Sequence, residues 1–334
     1  MSNEKKPFNL FNFIHGRRER EDDLGHDPLD VNAPRDIIFF FKLFWRRVNN
    51  IFSLNFLFIA GNFPFIFLLF AMSGLFSQMS TTPASPLFPN IYGALHGADP
   101  TPYTAAFNGI FGVQRTIFVN TTVTYIFYGI GALTILTFGV VSTGISFVMR
   151  NITKGEYVFV WQEFSSAVKK NWKQGLILGV FDIAFIAMCI HNIIFFSLGE
   201  YGNFIVQNEF IISMFFFFML FVAIFYLFAR MHMYLLAVTF ELSVPKILKN
   251  SFILSMVGLK RNVLGLLGIV VVLVINIMLF EAFPPIGMVA PVIITFSLLY
   301  FIMSYTAWPN IERIMIEPYY HADGTPREGT VEAD

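Results

Sequence analysis

Charged residues are missing from most of this chain in long, uninterrupted runs. No Asp, Glu, Lys or Arg lies between Arg47 and Asp99, Arg115 and Arg150, Glu209 and Arg230, Arg261 and Glu281, or Glu281 and Glu312. The stretch from Gln174 to Leu198 holds only Asp182. A bilayer-crossing helix needs about 20 mostly apolar residues, and in hydrocarbon the backbone must satisfy its own hydrogen bonds. The runs therefore predict an all-α integral membrane protein with six transmembrane helices, near 51–76, 119–148, 176–197, 210–237, 263–281 and 287–307. The first run is too long for one span. Its second part carries Pro83, Pro86, Pro89, Pro100 and Pro102 among Ser, Thr and Gly, which is loop chemistry because Pro lacks a backbone donor. This divides the chain into a polar segment (1–34), a membrane domain (35–312) with an extracytoplasmic loop (77–115), and a tail (313–334).

Composition agrees. Charged residues make up 13% and hydrophobic ones 56%, against about 25% charged in soluble domains. That excludes a soluble globular or disordered protein, and the balance of 22 basic and 22 acidic residues excludes a nucleic-acid binder. A single Cys excludes an internal disulfide framework and a Cys-rich zinc site. The polar start, Met1 to Asp36, has no short apolar core with a cleavage site, so the first span is expected to stay as an anchor.

The basic residues set the orientation, because Lys and Arg are retained on the cytoplasmic side. Lys5, Lys6, Arg17, Arg18, Arg20, Arg35, Lys42, Arg46 and Arg47 precede the first span. Arg150, Lys154, Lys169, Lys170 and Lys173 follow the second, and Arg230, Lys246, Lys249, Lys260 and Arg261 are read as following the fourth. Arg313 and Arg327 follow the sixth span, and only Arg115 falls on the other side. Both termini are thus expected in the cytoplasm.

Three segments on the basic side have amphipathic spacing: Arg35 to Val48, Val160 to Lys173, and Ser243 to Gly258. The second sets Trp161, Phe164, Val168 and Trp172 on one face, and the third opens with a capping Ser243 and Pro245. Such helices lie flat in the headgroup region or pack under the bundle. Each ends in basic residues and an Asn before a pair of spans: Arg46-Arg47-Val48-Asn49, Lys169-Lys170-Asn171 and Lys260-Arg261-Asn262. This suggests three repeats of flat helix plus hairpin, although Lys, Arg and Asn are common at any such boundary.

Asp182 is the candidate polar intramembrane residue. A carboxylate in hydrocarbon is costly, so it serves either as an ion, substrate or proton contact, or as a carboxylate bonded to Lys173, Trp172 or a neighbouring helix. On one helix His191 points roughly opposite Asp182, so Asp182, Cys189 and His191 form no local metal site. His191 reads as an outer-edge residue and His232 as a headgroup anchor after Arg230. No His-x-x-x-His, Cys-x-x-Cys, phosphate-binding Gly loop or nucleophile elbow is present. Neither an enzyme nor a bound cofactor or metal is expected. Small residues in span two (Gly129, Gly131, Gly139, Ser142, Gly144, Ser146) permit close helix contact and nominate it as the bundle centre. The fourth span, with Phe215 to Phe218 consecutive, reads as lipid-facing.

The chain resembles the YesL-type family of bacterial membrane proteins of unknown function. The resemblance is carried by Phe11-Asn12 and Phe39-Phe40-Phe41-Lys42-Leu43-Phe44-Trp45-Arg46-Arg47, then Leu54-Asn55-Phe56-Leu57-Phe58. Its most specific parts are Val148-Met149-Arg150-Asn151, Val158-Phe159-Val160-Trp161-Gln162-Glu163-Phe164 and Lys169-Lys170-Asn171-Trp172-Lys173-Gln174. The long outer loop looks like an insertion relative to shorter members, and Asp182 matches no family motif. The resemblance implies an accessory membrane protein of carbohydrate uptake in the plasma membrane, especially of Gram-positive bacteria, because family genes commonly sit with oligosaccharide ABC-importer and glycoside-hydrolase genes. The expected partners are the lipid bilayer and importer permease or ATPase subunits, not nucleic acid. The expected docking surface comprises Arg150, Asn151, Trp161, Phe164, Lys169, Lys170, Asn171 and Trp172. The alternative is a transporter or channel subunit with a path near Asp182, and a membrane enzyme ranks last.

Overall fold

A computed structural model describes residues 35–83, 102–103, 106, 114–198 and 209–319. The polar segment 1–34, most of the loop 84–113 and the tail beyond 319 lie outside the described residues. Five helices are long and apolar enough to cross a membrane, or six if Ile37–Gly61 and Pro64–Met72 form one broken span. The expected membrane protein of helices is therefore observed at the level of five to six candidate spans.

The chain divides into two compact units, Phe63–Thr134 and the remainder. The larger contains α1 (Ile37–Gly61). The smaller contains α2 (Pro64–Met72), β1 (Ser77–Pro83), β2 (Gln114–Asn120) and α3 (Thr122–Ala132). The larger continues with α4 (Thr134–Lys154), α5 (Val160–Leu198), α6 (Glu209–Thr239), α7 (Val244–Val257), α8 (Leu259–Ala282) and α9 (Pro284–Ala290). A π-helical turn, Pro291–Thr295, then leads into α10 (Phe296–Ile311), and a second π turn covers Glu312–Ile316.

In the smaller unit α2 packs on α3. A methyl at Gly131 would collide with Leu68, and Phe127 stacks edge-on against Phe67 and Phe76 at 5.3 and 4.8 Å. The strands correct the all-α expectation. β1 and β2 form an antiparallel ribbon, Ser77 opposite Asn120 and Pro83 opposite Gln114. Thr81, Thr82, Thr116, Ile117 and Val119 are β-branched and suit a strand, and Pro83 sits at the end of the ladder, where its missing donor costs least.

The larger unit has two cores that share α10. One joins Leu43, Ile51, Leu54 and Phe58 of α1 to Ile145, Val148, Met149 and Ile152 of α4, and to Tyr300 and Phe301 of α10. The other joins Leu178 of α5, Met233 and Leu236 of α6 and Ile247 of α7 to Ala307, Trp308 and Ile311. The most buried candidate span is Thr122–Lys154, with 56% of its apolar window buried, against 6% for Phe210–Thr239 and for Leu259–Ala282. Glycines bring α4 close to α5. A methyl at Gly139 would overlap the carbonyl oxygen of Gly175 and the Cα of Gly179, so α4 and α5 cross backbone to backbone.

Two of the three amphipathic segments are not separate flat helices. α1 starts at the Asp36 cap, whose side chain accepts from the Phe39 N–H at 2.8 Å, and runs unbroken past Arg46 and Arg47. α5 has 39 residues and is about 58 Å long at 1.5 Å per residue, nearly twice a hydrocarbon core of about 30 Å. No Pro or turn chemistry separates Lys173 from the apolar run, and Gly175 is spent on the α4 crossing. Only α7 is distinct. It ends at Gly258, where a Cβ would overlap the Asn310 amide.

Candidate functional site

The polar residues of the larger unit fall into a buried pair, a buried lock and an exposed face. Asp182 of α5 is 0% exposed. Arg230 of α6 donates from Nε to both carboxylate oxygens, at 3.0 and 2.8 Å. The Tyr226 hydroxyl donates to Oδ1 at 2.8 Å and the Tyr234 hydroxyl to Oδ2 at 2.9 Å. Residues 226, 230 and 234 are spaced four apart, so one face of α6 presents all three donors. The guanidinium also lies 5.6 Å from the Phe138 ring centroid and 6.0 Å from that of Tyr300, and Tyr300 shares a 2.6 Å hydrogen bond with Ser142. Beside Arg230 a space of about 10 Å3 is lined by Ser146, Tyr300, Met303 and Ser304, room for about one water. The carboxylate has thus spent both oxygens on internal donors.

This corrects two placements. Arg230 does not follow the fourth span but lies within α6. His232 is no headgroup anchor. It is 0% exposed, with Nδ1 3.0 Å from the Phe228 carbonyl oxygen. His191 is exposed, and Cys189 is buried. Among the described residues no three His, Cys, Asp or Glu side chains gather as metal ligands would.

The second cluster fastens the end of α4. Arg150 Nη1 donates to the Val238 carbonyl at 3.0 Å and to Thr239 Oγ1 at 3.1 Å. Its Nε and Nη2 donate to Asn151 Oδ1, whose amide donates to Glu163 Oε2 at 2.7 Å. The Arg150 guanidinium lies 4.6 Å from the Phe147 ring centroid. Arg150 and Asn151 are 5% and 0% exposed. Both were expected on the docking surface, and both are instead internal, because their polar groups join α4, α5 and the end of α6. Phe164 is half-buried, with its ring against Gly144. Asn171 is half-buried and donates to the Ala167 carbonyl.

Four of the eight expected docking residues stand on the surface of α5. Trp161 is 67% and Trp172 50% exposed, and Lys169 and Lys170 are exposed. Trp161, Gln162, Ser165, Ser166, Lys169 and Lys170 line one shallow concavity.

Asparagines inside the spans carry further polar contacts; sequence reasoning names Asn192 and Asn276, beside Asp182, as groups whose shared cavity would favour transport, but gives Asn55 no such role. Asn55 of α1 donates to the carbonyls of Pro291 and Val292 at 2.9 and 2.6 Å and accepts from the Ser297 N–H at 2.9 Å. One side-chain amide thus ties α1 to the backbone of the π turn and the start of α10. Thr295 donates to Asn276 Oδ1 at 2.8 Å, and Asn192 bonds the Met188 carbonyl of its own helix. Neither Asn192 nor Asn276 is joined to Asp182. The available signal was that Asn55 and Asn276 are amides in otherwise apolar runs, where polar groups seek a partner.

Residues 118–193 match the model of a family described as a protein of unknown function, DUF624. That match covers β2 in part, α3, α4 and most of α5, and so includes Gly139, Arg150, Asn151, Trp161 and Asp182 but not Arg230. No curated protein and no solved structure matches the chain.

Proposed function

We propose that this chain is a non-enzymatic accessory or regulatory protein of a bacterial carbohydrate ABC importer, held in the plasma membrane with both termini in the cytoplasm. The observation that carries the reading is a division of labour along α5. Its intramembrane carboxylate is consumed internally by Arg230, Tyr226 and Tyr234, while its extension presents Trp161, Lys169, Lys170 and Trp172 to the outside. A transporter needs groups that can exchange partners with a substrate, and a docking protein needs an exposed aromatic and charged face. Trp is among the residues that most often anchor interfaces. The importer as partner is drawn from the YesL-type resemblance, and the orientation from the distribution of Lys and Arg.

The test is co-purification. The tagged chain, extracted from native membranes in mild detergent, is expected to retain permease or ATPase subunits, and a Trp161→Ala, Lys169→Glu variant to lose them. Recovery of the chain without any importer subunit contradicts the proposal. The rival reading, a transport path near Asp182, requires the Arg230 pair to open. It predicts substrate flux in liposomes that Asp182→Asn abolishes.

A further inference from the structure

A second concavity lies where the apolar run of α5 begins. A cleft of about 610 Å3 is lined by residues 170–174 on one wall and 237–243 on the other, a size within the range of small-ligand sites, roughly 300–1,000 Å3. The walls are fixed to one another. Gln174 Nε2 donates to the Leu242 carbonyl at 2.8 Å, and buried Arg150 holds the carbonyl of Val238 and the hydroxyl of Thr239. We infer that this cleft binds the phosphodiester headgroup of an anionic phospholipid, with Lys170 and Lys173 as its cationic contacts and Trp172 at its rim.

Three observations carry the assignment. The first is position. Lys173 is the last charged residue before the run from Gln174 to Leu198, in which only Asp182 is ionisable. The cleft therefore lies at the edge of the hydrocarbon, where headgroups lie. The second is charge. The lining holds Lys170 and Lys173 against Glu241 alone, and Lys246 and Lys249 are exposed at the adjoining start of α7. The Lys170–Glu241 pair is 3.5 Å long between side chains 64% and 87% exposed. Such a pair is weak, so a phosphate can take Lys170 while Glu241 turns into water. Lys173 Nζ lies 5.7 Å from the Trp172 ring centroid, the aromatic-plus-cation pairing found at membrane interfaces. Basic pockets between spanning helices hold anionic headgroups in the same way.

The third observation selects a lipid over free phosphate. Below Lys173 an exposed apolar stripe descends the same face of α5: Ile177 is 52% and Val180 40% exposed, and Ala184 follows, also exposed. Offsets of four, seven and eleven residues from Lys173 keep one helical face. An acyl chain attached to a headgroup in the cleft would lie along that stripe. Trp161 and Lys169 do not line the cleft, so loss of importer subunits and loss of lipid binding are separable results.

The experiment is native mass spectrometry of the full chain in mild detergent, titrated with dioleoyl phosphatidylglycerol or dioleoyl phosphatidylcholine. The expected result is one retained phosphatidylglycerol and distinctly weaker phosphatidylcholine. Lys170→Gln with Lys173→Gln is expected to weaken phosphatidylglycerol binding about 30-fold, about fivefold per lysine near a membrane surface. Lys170→Arg with Lys173→Arg keeps the charge and the binding, which separates lost contacts from a misfolded chain. Equal retention of the two lipids, or unchanged phosphatidylglycerol binding by the Gln pair, overturns the inference. Displacement of the lipid by millimolar inorganic phosphate also overturns it, because it would mark a site for free phosphate.

Discussion

Removing either member of the Asp182–Arg230 pair leaves the other charge buried without its counter-ion. Asp182 is 0% exposed and the Arg230 side chain 10%. Breaking a buried pair by deleting one partner costs about 3–5 kcal/mol, and the surroundings decide where each variant falls in that range. In Arg230→Met the carboxylate keeps the Tyr226 and Tyr234 hydroxyls, which points to the low end, about 3 kcal/mol. In Asp182→Leu the guanidinium keeps a 3.8 Å contact to the Met303 sulfur and its aromatic neighbours, but both tyrosines lose an acceptor. Each orphaned hydroxyl adds about 1 kcal/mol, offset by the ring contacts of the cation, for a total of about 4 kcal/mol. The double variant Asp182→Leu, Arg230→Met leaves no stranded charge and only the two hydroxyls. Its loss is expected to be at most about 4 kcal/mol, so the coupling energy is at least about 3 kcal/mol. The assay is reversible unfolding in mixed micelles by dodecyl sulfate titration, followed by Trp fluorescence and far-ultraviolet circular dichroism. A double variant that loses the full sum of the single losses refutes the pairing.

Other expectations follow from the same packing. Asn55→Ala removes the partners of two carbonyls and one N–H at the π turn, and a loss of about 2 kcal/mol is expected in the same unfolding assay. Gly179→Val drives a side chain into the backbone of Gly139, and a loss of about 1–3 kcal/mol with a lower melting temperature is expected. A Cβ at Gly129 meets nothing within 4 Å, so Gly129→Ala serves as the control in which no loss of stability is expected. Trp161→Ala, on the exposed face of α5, should leave stability within about 0.5 kcal/mol. An unfolding midpoint shifted well beyond that would mean that Trp161 is structural.

The membrane helices were legible because charge is expelled from hydrocarbon, and an apolar run long enough to cross a bilayer finds no comparable shelter in water. The same rule hid Arg230. Reading a charge as the end of a run places it outside the span, whereas α6 continues nine residues beyond it to Thr239. A different question would have found it: Asp182 and Arg230 are opposite charges set in apolar helices, and each is tolerated there chiefly with the other. Periodicity identified the apolar face of Val160 to Lys173 but could not tell a flat helix from the first third of a long one. That distinction rests on Gly175, whose missing side chain serves the α4 crossing instead of a break. Gly258, beside Asn310, does end a helix. Arg150 and Asn151 looked like surface chemistry because they are polar and near a span end. Their partners, Val238, Thr239 and Glu163, lie on other helices, and no local pattern names them. The ribbon of β1 and β2 pairs segments separated by a Pro-rich stretch, again a contact between distant positions.

The most direct measurement is photo-crosslinking from position 161 in living cells. A photoreactive residue replacing Trp161 lies on the exposed face of α5, clear of the buried pair and of the lysine cleft. The account predicts a crosslink to a permease or ATPase subunit of a carbohydrate importer, abolished by Lys169→Glu. Crosslinks confined to lipid or to a second copy of the chain, unchanged by Lys169→Glu, would contradict it.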